Sequence, residues 1–189
     1  LPDVVIVGAQ RSGTTTIFRL LSEHPQVLRP TIVKGVAYFD LNYERGLAWY
    51  PGHFPLRLSA RLRARGGQRL ITFESSGYYM VHPLAPGRLA RDLPQAKVIA
   101  LLRDPVIRAH SSHRHESRRG FESESFEEAI DLEAARISGE AERLAADPSY
   151  QSYEYQHHAY LERSDYAPQI QRLRDAVGGD RLYVVDLPG

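Results

Sequence analysis

Short unbroken apolar runs alternate along the chain with stretches whose apolar residues recur every three or four positions. The first run, VVIV at residues 4–7, predicts a strand buried on both faces. A helix is predicted over residues 14–22, ending near His24-Pro25, because the residue before a proline avoids the helical region. RLITFE (69–74) predicts a second strand, HPLAPGRLARDLP a short helix, and AKVIALL (96–102) a third strand. Asp104-Pro105 starts a further helix through RAHSSHRHESRR, since proline suits a first helical turn. Ser125 and Glu128 have capping-box spacing and predict a long charged helix to Ala146 with a solvated face. A helix over residues 164–177 stops at Gly178-Gly179, and RLYVVD (181–186) predicts a fourth strand. Strands alternating with helices imply an α/β fold: one domain over residues 1–189, with a central, mostly parallel sheet flanked by helices.

Residues 25–58 break this rhythm. Tyr38, Phe39, Tyr43, Trp49, Tyr50 and Phe54 are interleaved with prolines and glycines, and the simplest reading is core and loop packing. A second reading makes these rings the wall of a cleft for an acceptor. Composition narrows the field. A chain of 189 residues is long enough to bury a core, and its net charge of +1 gives no overall field for nucleic acid or an anionic membrane. The absence of cysteine removes disulfides, thiolate catalysis and cysteine zinc sites together. No apolar run reaches the length of a membrane span. The chain opens on Leu1, and both ends are expected to be truncated; the expected location is cytoplasmic.

The chemistry concentrates in GAQRSGTT, residues 8–15, between the first strand and the first helix. Free backbone N–H groups and partial positive charge at a helix start attract anions, glycine lets the backbone curl close, and hydroxyls add donors. The loop resembles the phosphate loop G-x-x-x-x-G-K-[ST], with Thr14 in the lysine position. A nucleotide kinase needs that lysine and usually an aspartate for magnesium at a nearby strand end. Here the third strand ends in Leu102-Arg103. Arg103 therefore falls where ligands of open α/β sheets bind, and Ser111 lies two turns along the next helix. An arginine fork with a serine hydroxyl suits a second phosphate, although Arg103 could instead pair with Asp104 or the helix end.

The strand-GAQRSGTT-helix unit with LLRDPVIRAHSSH downstream resembles the sulfotransferases that use 3′-phosphoadenosine 5′-phosphosulfate (PAPS). Segments VKGVAYFDLNYERGLAWYPGHFP, FESSGYYMVHPLAPGRLARDLP, SFEEAI, YLERSDYAPQIQRL and RLYVVD extend the likeness over nearly the whole chain. It is closest to the branch shared by bacterial and heparan-type carbohydrate enzymes. The resemblance implies a P-loop-like core in which Arg11, Ser12, Gly13, Thr14 and Thr15 hold the 5′-phosphosulfate, and Arg103 and Ser111 the 3′-phosphate. It further implies that Arg11 and Lys34 stabilise the leaving phosphate and that Glu74 is the general base. PAPS would be the donor and 3′-phosphoadenosine 5′-phosphate (PAP) the product, without metal; the acceptor would be a carbohydrate or small metabolite. Sulfuryl transfer is an in-line displacement, so positioning and charge stabilisation are the expected levers. Two departures bear on acceptor choice: Gly35 follows Lys34 where many heparan-type relatives have glutamate, and Ser75 follows Glu74 where they often have lysine.

Other assignments compete with these. Glu74 could be a strand-end carboxylate paired with an arginine, and Lys34 a solvated loop residue. His110, His113 and His115 invite a metal reading, but their spacing makes a poor tripod, so no metal site is expected. His53 and His82 are alternative bases beside prolines. The rival functions are a P-loop-type kinase using ATP and a nucleotide-binding module without catalysis.

Overall fold

The computed structural model describes residues 1–55 and 69–187. Its centre is a sheet of five parallel strands in the order β2-β3-β1-β4-β5: β1 (Val4–Gly8), β2 (Val27–Leu28), β3 (Ile71–Ser75), β4 (Lys97–Leu102) and β5 (Leu182–Asp186). The two-residue β2, paired through Val27 and Ile71, is the strand that the apolar pattern did not predict. It is too short to show any periodicity.

Period-two alternation explains why β1 is apolar throughout. Val5 and Val7 enter one core layer with Val98 and Ala100, while Ile6 enters the opposite layer with Phe73 and Leu101. Helix α1 (Thr14–Glu23) covers the Ile6 side through Ile17, Phe18 and Leu21. On the Val5 side lie α2 (Ala85–Asp92), α7 (Tyr166–Val177) and an aromatic cluster. Tyr38 stacks on Tyr50 with ring centroids 4.6 Å apart, and Phe39 meets Tyr79 edge-on at 5.2 Å. The aromatic segment is thus mainly core, as its composition suggested, with residues 56–58 outside the described part.

The helix after β4, α3, spans Pro105–Arg118, and the Asp104 carboxylate caps it by accepting from the Ile107 N–H at 2.9 Å. That bond occupies Asp104 with the helix start rather than with Arg103. The Ser125–Glu128 capping box forms, but the helix predicted to reach Ala146 is two: α4 (Phe126–Arg136) and α5 (Glu140–Ala146). Gly139, at φ +74°, breaks it in a left-handed conformation. A short helix α6 (Tyr153–His157), capped by the Ser152 hydroxyl, was not foreseen. The next helix, α7, starts at Tyr166 after a 3₁₀ turn over Glu162–Ser164. Among the described residues no helix is long and apolar enough to cross a membrane.

Candidate functional site

Gly13, at φ +75°, turns the chain out of the loop and into α1, with no side chain capping the helix start. The first N–H groups of α1 are therefore available to an anion. Arg11 also has a positive φ, +70°, a conformation that costs a non-glycine residue on the order of 1–3 kcal/mol. Its exposed side chain crosses to α3, where Nε donates to Ser111 Oγ at 3.2 Å. The loop after β1 and the helix after β4 thus face each other at the carboxyl ends of two adjacent strands.

Between them opens a cavity of about 530 Å³, lined by Arg11, Gly13, Thr14, Thr15, Lys34, Arg103 and Ser111 among others. The two expected anion sites are one continuous space. Lys34 reaches it from another segment: Nζ donates to Thr14 Oγ1 at 3.2 Å and Thr15 Oγ1 at 3.0 Å. An ammonium therefore sits beside Thr14, the position of the loop lysine in a kinase, but comes from a different part of the chain. Burial lowers the pKa of Lys34. None of the ion pairs among the described residues involves Arg11, Lys34 or Arg103. Ser12 lies beneath the loop, fully buried, with an Oγ that has no hydrogen-bond partner.

Glu74 is placed elsewhere. Phe73 faces α1, so its neighbour Glu74 turns into the opposite layer, where it is 0% exposed and lines neither this cavity nor the next. Its carboxylate accepts from Val36 N–H (3.0 Å), Ser76 Oγ (2.9 Å), Tyr79 Oη (3.1 Å) and Tyr50 Oη. Burial raises its pKa despite the donors that favour the charged form. These bonds fasten the segment carrying Lys34 onto the end of β3, together with Ser75 N–H donating to the Lys34 carbonyl at 3.2 Å. The Glu74 carboxylate thus lies in the core rather than on either cavity, and it holds the strand end and the Lys34 segment together.

Several lining residues escaped the sequence reading. His115, Glu116 and Arg119 were not read as cavity residues, yet with Ser111, which was, His115 and Arg119 recur every four residues along α3 and its end. That helical spacing was the available signal. Gln10, Ser75 and Gly77 complete the wall, and the Ser75 Oγ is buried without a partner. The pKa of His115 is lowered by burial and by Arg11.

The three α3 histidines diverge. His110 packs on Phe126, His113 Nε2 lies 3.0 Å from the Glu124 carbonyl, and His115 faces the cavity. No group of three potential metal ligands occurs among the described residues. His53 packs on Trp49, and His82 is buried against Tyr78, its pKa pushed down to about 4 by burial, Arg88 and Arg172.

A second cavity of about 290 Å³ adjoins the first, sharing Gln10, Gly77, Glu116 and Arg119 with it. Gly35, Asp40, Tyr78 and His157 contribute to its remaining wall. The aromatic segment reaches it through Gly35, Ala37, Asp40 and Leu41 rather than through its rings. Burial lifts the Asp40 carboxyl to about 7.

Comparison with known proteins bears on the family and the fold. A family model described as a sulfotransferase domain matches residues 1–139. The chain is 35% identical over 125 residues, 64% of its length, to the human bifunctional heparan sulfate N-deacetylase/N-sulfotransferase 2, and spans 13% of that protein. It is 36% identical over 113 residues to the membrane-associated sulfotransferase kil1 of Dictyostelium discoideum, covering 60% of this chain and 22% of that protein. A sulfotransferase crystal structure from Alicyclobacillus acidocaldarius superposes over 98% of this chain and 73% of its own, with a TM-score of 0.66 and 26% identity. The phosphate loop without its lysine, the cationic cavity and the family match converge on one conclusion: the chain belongs to the sulfotransferase domain family.

Proposed function

We propose that this chain transfers a sulfuryl group from PAPS to a hydroxyl or amine of a carbohydrate or small-metabolite acceptor. The observation that carries this reading is the cavity in which Arg11, Lys34 and Arg103 converge without an ion pair of their own, since Glu116, the carboxylate on its wall, is engaged by Arg119 and His157. A ligand with phosphate at both ends would satisfy them. The unpartnered Ser75 hydroxyl on the cavity wall fits the same ligand, since buried polar atoms in folded proteins are nearly always paired. We assign Arg11, Ser12, Gly13, Thr14, Thr15 and Lys34 to the 5′-phosphosulfate and Arg103 with Ser111 to the 3′-phosphate. Arg11 and Lys34 then stabilise negative charge on the departing phosphate oxygen as the S–O bond breaks, and the α1 start fixes the phosphate. Glu74 contributes by positioning Lys34. The glycan-sulfating relatives favour a carbohydrate acceptor.

The kinase alternative is not favoured: Thr14 replaces the loop lysine, and β4 ends in an arginine. The test is calorimetry with PAP and with ATP plus magnesium. Wild type should bind PAP in preference to ATP, and Arg103→Ala should weaken PAP about 10- to 100-fold, the loss of a charged hydrogen-bond pair. Equal PAP affinity in both proteins, or tighter binding of ATP, would overturn the assignment.

A further inference from the structure

The cavity beside the donor site holds a histidine that no other part of the chain has claimed. His157 ends α6 and lines this second cavity with Glu116, which lines both. Its Nδ1 lies 2.8 Å from Glu116 Oε2, a carboxylate also held by Arg119 Nη1 at 3.4 Å. The ring stacks on Phe121 at 4.1 Å and packs against Tyr153 at 4.7 Å, so its plane is fixed. A carboxylate at Nδ1 requires the proton there and leaves the Nε2 lone pair free. Nε2 makes no hydrogen bond among the described residues. The adjacent His158 differs: its Nδ1 meets Glu154 at 2.5 Å and its Nε2 meets the Phe121 carbonyl at 2.8 Å, so both nitrogens are occupied.

The same cavity carries a second sign of a ligand. The Tyr78 hydroxyl, on a residue only 6% exposed, has no hydrogen-bond partner. Burial leaves it strongly disposed to remain protonated, hence a donor. A polar acceptor could satisfy it. Gly35, on the same wall, brings no ionisable group.

We propose that His157, oriented by Glu116, is the general base that takes the acceptor's proton, and that the second cavity is the acceptor site. The inference rests on the sulfotransferase reading above. In the step, the acceptor O–H or N–H proton passes to His157 Nε2 while the acceptor atom bonds to sulfur. The bond between sulfur and the 5′-phosphate oxygen breaks, and PAP leaves with that electron pair. The imidazolium formed is stabilised by the Glu116 carboxylate. A histidine with one nitrogen on a carboxylate and the other free is the arrangement by which a base is oriented toward a hydroxyl nucleophile.

The test measures PAP formation from PAPS with two acceptors, water and a desulfated, N-deacetylated heparan oligosaccharide, alongside PAP binding by calorimetry. His157→Gln should lose about 10²- to 10⁴-fold in kcat with either acceptor while PAP affinity stays within about twofold. In His157→Gly, added imidazole should restore part of the rate, a rescue that a merely structural role would not show. Glu116→Gln should fall between wild type and His157→Gln. Wild-type turnover in His157→Gln, a loss that imidazole does not relieve in the glycine variant, or no product from PAP-binding wild type would overturn the proposal. So would a loss confined to Asp40→Asn, which would move the base to that carboxyl. Failure of wild type to bind PAP would instead sink the donor reading on which it rests.

Discussion

The two cavities meet at four shared residues yet are assembled in opposite ways. The donor-side cavity is built mainly on two strand-to-helix connections: the loop after β1 supplies Arg11, Thr14 and Thr15, and the β4–α3 connection supplies Arg103 and Ser111. Three of its cations, Arg11, Lys34 and Arg103, are left without acidic partners, and the Ser75 hydroxyl on its wall is unpaired. The acceptor-side cavity draws on five separate pieces of chain, and three of its ionisable groups are already engaged with one another: Glu116 with His157 and Arg119. An anion site needs unneutralised positive charge, whereas a proton-transfer site needs a base held by a partner. The difference in internal pairing is what separates the two roles.

The largest effect expected from breaking this arrangement lies beneath both cavities. Glu74→Ala would strand one backbone N–H and up to three hydroxyls that now donate to it, at about 1–3 kcal/mol for each left unsatisfied. Urea denaturation should therefore show a loss of roughly 4 kcal/mol or more. Glu74→Gln, which keeps the shape and one carbonyl acceptor, should lose less and retain transfer activity. Normal stability with abolished transfer in the glutamine variant would return Glu74 to the chemistry and erase its distinction from His157.

A comparable effect, now dependent on pH, is expected at Asp40. Its folded pKa of about 7 lies above the ordinary 3.8, chiefly through burial, with repulsion from Glu74 adding to it. The native state therefore binds more protons than the unfolded state between about pH 4 and 7, and stability from this group falls as pH rises through that window. Asp40→Asn removes the titration. Relative to wild type, the variant should gain stability between pH 5 and pH 8, by at most ~4 kcal/mol. A parallel pair of stability-pH curves would show that Asp40 is solvated in the free protein and that the acceptor-side cavity is wetter than its burial indicates.

The donor side was legible in the sequence because its residues lie in two short contiguous segments, each adjoining an apolar strand. Hydrophobic patterning located β1 and β4, and their carboxyl ends then identified Arg11 and Arg103. Lys34 was legible only through family likeness, since its approach to Thr14 depends on the path of a loop. The placement of Glu74 was not legible for a physical reason: one residue of strand separates the face of Ser75, on the cavity, from the face of Glu74, in the core. Motif position carries no information about which face a strand presents at its last residue. His157 was invisible because α6 is five residues long and its partner Glu116 lies 41 positions away.

The smallest expected effect tests the seam between the regions. At Gly35, which lines the acceptor-side cavity, an added Cβ would stand 2.5 Å from the Ser75 carbonyl oxygen and 2.8 Å from Ser76 Oγ. The nearer contact is backbone at the end of β3, so it cannot yield as a flexible side chain would. Gly35→Ala should cost about 1–3 kcal/mol by forcing β3 and the Lys34 segment apart. Because Ser75 N–H bonds the Lys34 carbonyl across this seam, the displacement should also move the Lys34 ammonium relative to Thr14 and Thr15. PAP affinity should then fall severalfold, less than in Arg103→Ala, since only one of the cavity's cations is disturbed. Calorimetry with PAP beside a thermal melt separates the two consequences. Lowered stability with unchanged affinity would mean that Lys34 adjusts independently of the seam, and that the two cavities share a wall without sharing their geometry.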